Sequence, residues 1–118
     1  LEVPVYAGAG APLEREAAYA PDIHGESGLG GPTLPELARK PAGRDAARFI
    51  VDTARAEGGV WLVAVGPLTN VALALQKAPD LATKLAGISV MGGSTGPGNR
   101  TPAAEFNIWA DPEAARAV

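Results

Sequence analysis

The chain has 118 residues, of which 47% are apolar and 19% charged; 10 basic side chains against 13 acidic ones give a formal net charge of −3. That length suits one domain or a part of one, has apolar content enough for a core, and excludes a disordered chain. The acidity excludes the basic stripe of a nucleic-acid binder, the absence of cysteine excludes disulfides and thiol chemistry, and no apolar run approaches the ~20 residues that span a bilayer.

In chain order, the apolar residues 3–7, stopped by Gly8 and Gly10, predict a first strand. Residues 8–44 are rich in Gly and Pro and predict a long irregular stretch, a kind of segment that is functional or disordered. Asp45 then has the character of an N-cap. Ala46, Phe49, Ile50, Thr53 and Ala54 follow at helical spacing, and Gly58-Gly59 stops the helix. The run Val60-Trp61-Leu62-Val63-Ala64-Val65 is apolar throughout and predicts a strand buried on both faces, as in a parallel sheet.

Gly66-Pro67 opens a helix whose apolar face is Leu68, Val71, Ala72 and Leu75, and Pro79 ends it. Residues 80–85 suit one further helical turn, and residues 88–91 suit the next strand. Residues 92–108 form a second Gly/Pro loop, and Asp111-Pro112-Glu113 supplies the cap, N1 proline and first-turn acid of a last helix. Strand, helix and strand with short connections make a right-handed βαβ unit, so the class is α/β with a mainly parallel sheet and flanking helices. In such a sheet Gly8-Ala9-Gly10, Gly66-Pro67-Leu68-Thr69-Asn70 and Met91-Gly92-Gly93 meet at the carboxyl edge, where α/β proteins place ligands.

Three generic chemistries fail on spacing. Gly8-Ala9-Gly10-Ala11-Pro12-Leu13 lacks the third glycine of a dinucleotide fingerprint, and no Gly-Lys pair exists for a phosphate loop. Gly25-Glu26-Ser27-Gly28-Leu29 misses the nucleophile elbow by one position, with a single His in the chain to act as base. His24 reads either as a surface-loop residue or as an imidazole on a pocket wall, where the surrounding glycines let backbone approach a planar ligand. Asn99, Glu105 and Asn107 put two amides and a carboxylate in one loop. Amides donate and accept, an ionised carboxylate accepts only, and the set suits vicinal hydroxyls; loop-internal capping is the other reading. Thr69-Asn70 equally suits helix-start capping.

Taken together, three blocks resemble the inosine-uridine preferring nucleoside hydrolase family. They are Asp22-Ile23-His24-Gly25-Glu26-Ser27-Gly28-Leu29, Val65-Gly66-Pro67-Leu68-Thr69-Asn70-Val71-Ala72, and Met91-Gly92-Gly93 through Gly98-Asn99-Arg100-Thr101-Pro102-Ala103-Ala104-Glu105-Phe106-Asn107-Ile108. Asp111-Pro112-Glu113-Ala114-Ala115 continues the match, and the blocks run in family order over essentially the whole chain.

The resemblance implies a mainly parallel α/β sheet and hydrolysis of the N-glycosidic bond of ribonucleosides to ribose and free base. It also implies a bound calcium ion that holds the ribose hydroxyls and a water, and an aspartate that activates that water. Residue by residue, it implies that Asn99, Glu105 and Asn107 bind the ribose hydroxyls, that the Thr69 main-chain carbonyl ligates calcium, that His24 lies near the nucleobase, and that Met91 packs near the ribose.

The family's aspartate-rich D-x-D-x-x-x-D-D strand end, source of the calcium carboxylates and the general base, is absent from the sequence, as is its later His-Asp pair. No catalytic residue is therefore assigned. Residues 1–118 read as the central fragment of a nucleoside hydrolase domain, whose ends lack the polar linkers of a domain boundary. Alone, they are expected neither to hold calcium tightly, a cation that wants 6–8 oxygens, nor to turn over nucleosides. The alternative reading is a truncated, non-catalytic fragment that folds or self-associates. An uncovered sheet edge makes a homo-oligomer the expected assembly. No secretory leader is legible, so the cytoplasm is the expected compartment.

Overall fold

The computed structural model describes residues 3–32, 34–36 and 39–118. The predicted irregular stretch therefore includes three positions, 33, 37 and 38, that lie outside the described residues, as do the first two of the chain. Residues 3–7 are extended but make no strand. Among the described residues their one ladder contact is a parallel bridge between Tyr6 and Gly43, closed by Ala7 N–H to Gly43 C=O at 2.9 Å and Ala42 N–H to Val5 C=O at 2.8 Å. An extended apolar run becomes a strand only beside a partner of similar length, and one glycine is too little. Among the described residues of 8–44 a single helical turn, α1 (Pro21–His24), interrupts the loop.

Helix α2 (Ala46–Glu57) begins and ends where its sequence signals stand: the Asp45 side chain accepts from Arg48 N–H, and Gly58 closes it onto Ala54 C=O. Strand β1 (Val60–Ala64) leads into α3 (Thr69–Lys77), a 3-10 turn (Pro79–Thr83) and β2 (Leu85–Val90). The two strands pair in parallel with a register irregularity between Val60 and Trp61, so the unit is a βαβ crossover. β2 starts earlier than predicted, at Leu85, because Leu85 packs beside Val60 on the apolar cluster and pairs with it.

Two apolar clusters hold the helices to the sheet. Ala47, Val51 and Ala54 of α2 meet Ala74 of α3, Ala78 and Leu81, with Val60 and Leu85 against them. Leu68, Val71, Ala72 and Ala114 form the second, packed against Leu62, Ala64 and Ile88. Successive strand residues face opposite sides, so α3 covers the face of Leu62 and Ala64. The other face carries Trp61, Val63 and Val65, each about two-thirds exposed or more (66%, 65% and 74%). This corrects the expectation of a strand buried on both faces: the described helices pack on one side only. Trp61 lies across Gly87 of the neighbouring strand, where any Cβ would meet its ring.

Past β2 the chain forms a loop and then α4 (Phe106–Ala110) and α5 (Pro112–Ala117). The predicted loop over 92–108 therefore ends three residues early, because Glu105 caps the new helix. Among the described residues no helix is long and apolar enough to cross a membrane.

Candidate functional site

Three loops meet beyond the carboxyl ends of β1 and β2, as the order of elements requires. Ala9 N–H donates to Asn70 Oδ1 at 2.9 Å, joining the first loop to the start of α3. Met91 N–H donates to Ala64 C=O at 2.8 Å, continuing the strand pairing to the edge of the site. Asn107 then ties α4 across both strand ends: its Nδ2 donates to Met91 C=O at 2.9 Å and to Val65 C=O at 3.4 Å, and lies 3.1 Å from Met91 Sδ.

Glu105 is the second anchor. Its Oε2 accepts from Asn107 N–H at 2.9 Å and from Gly93 N–H at 3.2 Å. The first bond caps α4; the second fastens the loop after β2, where Gly93 turns through a positive φ of 78° that a side chain would strain. Asn99 is the third, with Oδ1 accepting from Phe106 N–H at 2.7 Å. Gly98 lets this loop fold flat on itself, since a Cβ there would fall on the backbone of Ala104. Arg100 stacks over the Trp109 ring, 4.7 Å from its centroid, and steadies the same loop against α4.

Each of the three side chains uses one polar atom on backbone and keeps another. Asn99 Nδ2, Glu105 Oε1 and Asn107 Oδ1 have no hydrogen-bond partner among the described residues, and no buried side-chain polar atom is left unsatisfied. Glu105 and Asn107 are nevertheless only 8% and 9% exposed. The result is one donor on the exposed Asn99 and two acceptors on nearly buried side chains, all reachable by a ligand. Capping and ligand binding, the two readings of this loop, are thus not exclusive: one atom of each residue serves the fold.

His24 ends α1 on an exposed loop. It lines a cavity of about 650 Å³ together with Tyr19, Pro67 and Phe106. Met91 is half exposed, at the end of β2 beside Asn107. Thr69 and Asn70 do not cap α3, which has Leu68 at its N-cap and no side-chain cap; this corrects the capping reading. Asn70 reaches Ala9 instead, and Thr69 Oγ1 donates to Asp111 Oδ2 at 2.6 Å.

Asp111 is the residue that sequence reasoning valued too little. It was legible as the cap of α5, and Oδ1 does accept from Ala114 N–H at 2.9 Å. Oδ2, however, accepts from both Thr69 and Leu13 N–H, the latter at 3.0 Å. Nothing in a D-P-E triplet announces a partner 98 positions away.

Among the described residues no three His, Asp or Glu side chains gather as a metal-binding group. Asp111, the acid that Thr69 touches, has both oxygens committed to protein donors. The described side chains do not make up a calcium shell.

The family model described as inosine-uridine preferring nucleoside hydrolase matches residues 1–118. The chain is 49% identical over 119 residues to the pyrimidine-specific ribonucleoside hydrolase RihB of Escherichia coli (strain K12 / DH10B), covering 100% of this chain and 38% of that protein. A putative pyrimidine-specific ribonucleoside hydrolase RihB of Shigella dysenteriae serotype 1 is also 49% identical, with 100% and 44% covered. Among solved structures, a purine-preferring ribonucleoside hydrolase from Gardnerella vaginalis superimposes with a TM-score of 0.91 at 35% identity, over 98% of this chain and 38% of that one. The plant nucleoside hydrolase PpNRh1 gives 0.89 at 39% identity, over 98% and 37%. The chain thus spans less than half the length of each of these proteins.

Proposed function

The chain belongs to the inosine-uridine preferring nucleoside hydrolase family, and from that premise we propose that its carboxyl-edge site holds the ribose of a ribonucleoside for hydrolysis of the N-glycosidic bond. The observation that carries this reading is the set of free polar atoms on Asn99, Glu105 and Asn107, each held by a backbone bond through its other polar atom. Vicinal hydroxyls each donate once and can accept, which one amide donor and two acceptor oxygens match. A side chain already anchored loses little further freedom on binding, so the sugar is fixed at low entropic cost.

In the reaction, the bond from C1′ to the base nitrogen breaks, water supplies the oxygen that joins C1′, and the base leaves with a proton. Positive charge develops on the sugar as the base departs. The Glu105 carboxylate, nearly dry, sets negative charge beside that sugar and favours the cationic transition state over the neutral substrate. His24, Tyr19 and Phe106 on the neighbouring cavity offer flat surfaces for the base. Calcium, which the resemblance implies, belongs to this proposal only as an ion whose carboxylate ligands are not assembled by the described residues. The Thr69 carbonyl would be this chain's one contribution to it.

Uridine titrated into the isotope-labelled chain is expected to shift the side-chain amide resonances of Asn99 and Asn107, and 2′,3′-dideoxyuridine is expected to leave them in place. Equal shifts from both compounds, or none from uridine, overturn the ribose reading. Ribose release from inosine or uridine with calcium present is expected to stay at background for these 118 residues; turnover above it would overturn the view that they bind without catalysing.

A further inference from the structure

A helix cap needs one side-chain oxygen, and Asp111 has a second. Asp45, the corresponding acid on α2, shows the ordinary arrangement: it is solvent-exposed, with Oδ1 on Arg48 N–H and Oδ2 near Lys77 Nζ at 3.4 Å. Asp111 is completely buried and brings three donors from three separate segments onto its carboxylate: Ala114 of α5, Thr69 at the head of α3, and Leu13 of the first loop. Taking a carboxylate fully out of water is costly unless every lone pair facing protein is used. The arrangement is therefore far more constrained than capping a six-residue helix demands.

Its position in the chain gives the constraint a purpose. Asp111 directly follows α4, a helix of five residues that is too short to hold itself. α4 is tied to the crossover at two places. Asn107 is bonded to the ends of both strands, and four residues later Asp111 is bonded to Thr69. Next to it, Glu113 pairs with Arg15, whose Nε donates to Oε2 at 2.8 Å, so the 13–15 segment is stapled along the same seam. Because α4 is one rigid turn between the two ties, the second tie fixes where the first can sit.

We propose that Asp111 is a positioning residue: by locking the α4–α5 junction onto Thr69 and Leu13, it sets the placement of Glu105 and Asn107 in the sugar cradle. The inference deepens the ribose reading and rests on it for its functional meaning, while the locking itself is observable without any ligand. Asparagine is the informative replacement. Its single oxygen can serve either Ala114 N–H or the Thr69 and Leu13 pair, and the amide placed on the other side confronts a backbone N–H with a second donor.

The test is amide hydrogen exchange on the intact chain with and without Asp111→Asn, followed by uridine titration of the same samples. Gly93 N–H and Asn107 N–H, both held by Glu105, are expected to lose about tenfold in protection, and uridine binding to weaken by a similar factor, as the loss of one buried charge-assisted bond gives. Val51 and Ala54 in α2 are expected to keep their protection. A uniform loss across all amides, or a loss confined to Ala114, overturns the proposal and leaves Asp111 as a stabilising cap.

Should Asp111→Asn fail to fold, Thr69→Val removes one donor and keeps the cap; it is expected to produce the same selective loss, and Thr69→Ser, which retains the hydroxyl, to restore protection. Unchanged exchange at Gly93 and Asn107 in Thr69→Val also overturns it. If the unaltered chain fails to bind uridine, the ribose reading falls by itself, and the exchange pattern still decides whether Asp111 holds the cradle.

Discussion

Leu81 and Asp111 are the two largest side chains that are fully withdrawn from solvent among the described residues, and each anchors one end of the molecule by a different physical principle. Leu81 sits where the 3-10 turn meets α2 and α3, surrounded by Ala47, Val51, Ala54, Ala74 and Ala78. Its contribution is area removed from water, which is non-directional and shared over many neighbours. Asp111 sits among three hydrogen-bond donors, and its burial is favourable only while all three are in place. The apolar end tolerates small shifts; the polar end specifies positions. Asn99, Glu105 and Asn107, the side chains of the proposed sugar cradle, stand at the second end, where positions are specified.

The contrast can be broken most forcefully from the apolar side. Leu81→Ala removes the largest side chain of the α2–α3 cluster and leaves a cavity between elements that cannot close over it. The expected loss is about 2–5 kcal/mol in urea unfolding, the range for buried leucine truncation. For a chain of this size that is a large part of total stability. The Asn99 and Asn107 amide resonances of the population that stays folded are expected to keep their positions. A loss below about 1 kcal/mol would mean that the cluster is loosely packed.

Substituting Glu105 makes the opposite change. Glu105→Ala removes the cap of α4 and frees Gly93 N–H, at a cost of about 0.5–2 kcal/mol, typical for a lost N-cap. Global stability therefore falls less than in Leu81→Ala, but uridine-induced shifts at Asn107 are expected to disappear. If Glu105→Ala kept those shifts, the carboxylate would be an architectural cap and nothing more.

The same contrast explains what the sequence made legible. α2 and β1 were readable because their signals are local: Asp45 and Gly58 at the ends of one, six successive apolar residues in the other. The exposed face of Trp61, Val63 and Val65 was not readable, because an apolar run records which side chains a complete sheet buries and not which neighbours this chain supplies. Residues 3–7 fell short of a strand for the same reason. In the site, loop composition and the family resemblance both pointed to Asn99, Glu105 and Asn107. The knot at Asp111 stayed hidden because its partners, Leu13 and Thr69, are distant in sequence and nothing local to any of the three announces the contact.

The smallest expected effect concerns the surface charges, and it sharpens the comparison by sign and by salt. Asp45 is held below the ordinary aspartate range first by the Arg48 N–H and then by Lys77. Asp80 is lowered by its bond to Arg55, and Glu113 by its bond to Arg15. A carboxylate that is more acidic when folded binds protons later than its unfolded counterpart. Its stabilisation is therefore complete above the unfolded value and is lost as pH falls through the folded one. Melting temperature is expected to be flat near neutrality with respect to these groups and to decline from about pH 4 downward. Asp45 and Asp80 are solvent-exposed and Glu113 is only partly buried, so the decline is shallow. Roughly 1 M salt, which shortens the screening length to about 3 Å, is expected to suppress the parts due to Arg55–Asp80 at the apolar end and Arg15–Glu113 at the polar end. The Asp45 part is expected to persist, because its principal partner is a backbone N–H at 2.9 Å with no mobile charge to screen. An acid decline that salt abolished completely, or one that Asp45→Ala left unchanged, would show that ion pairing and not helix capping sets the acid stability of this chain.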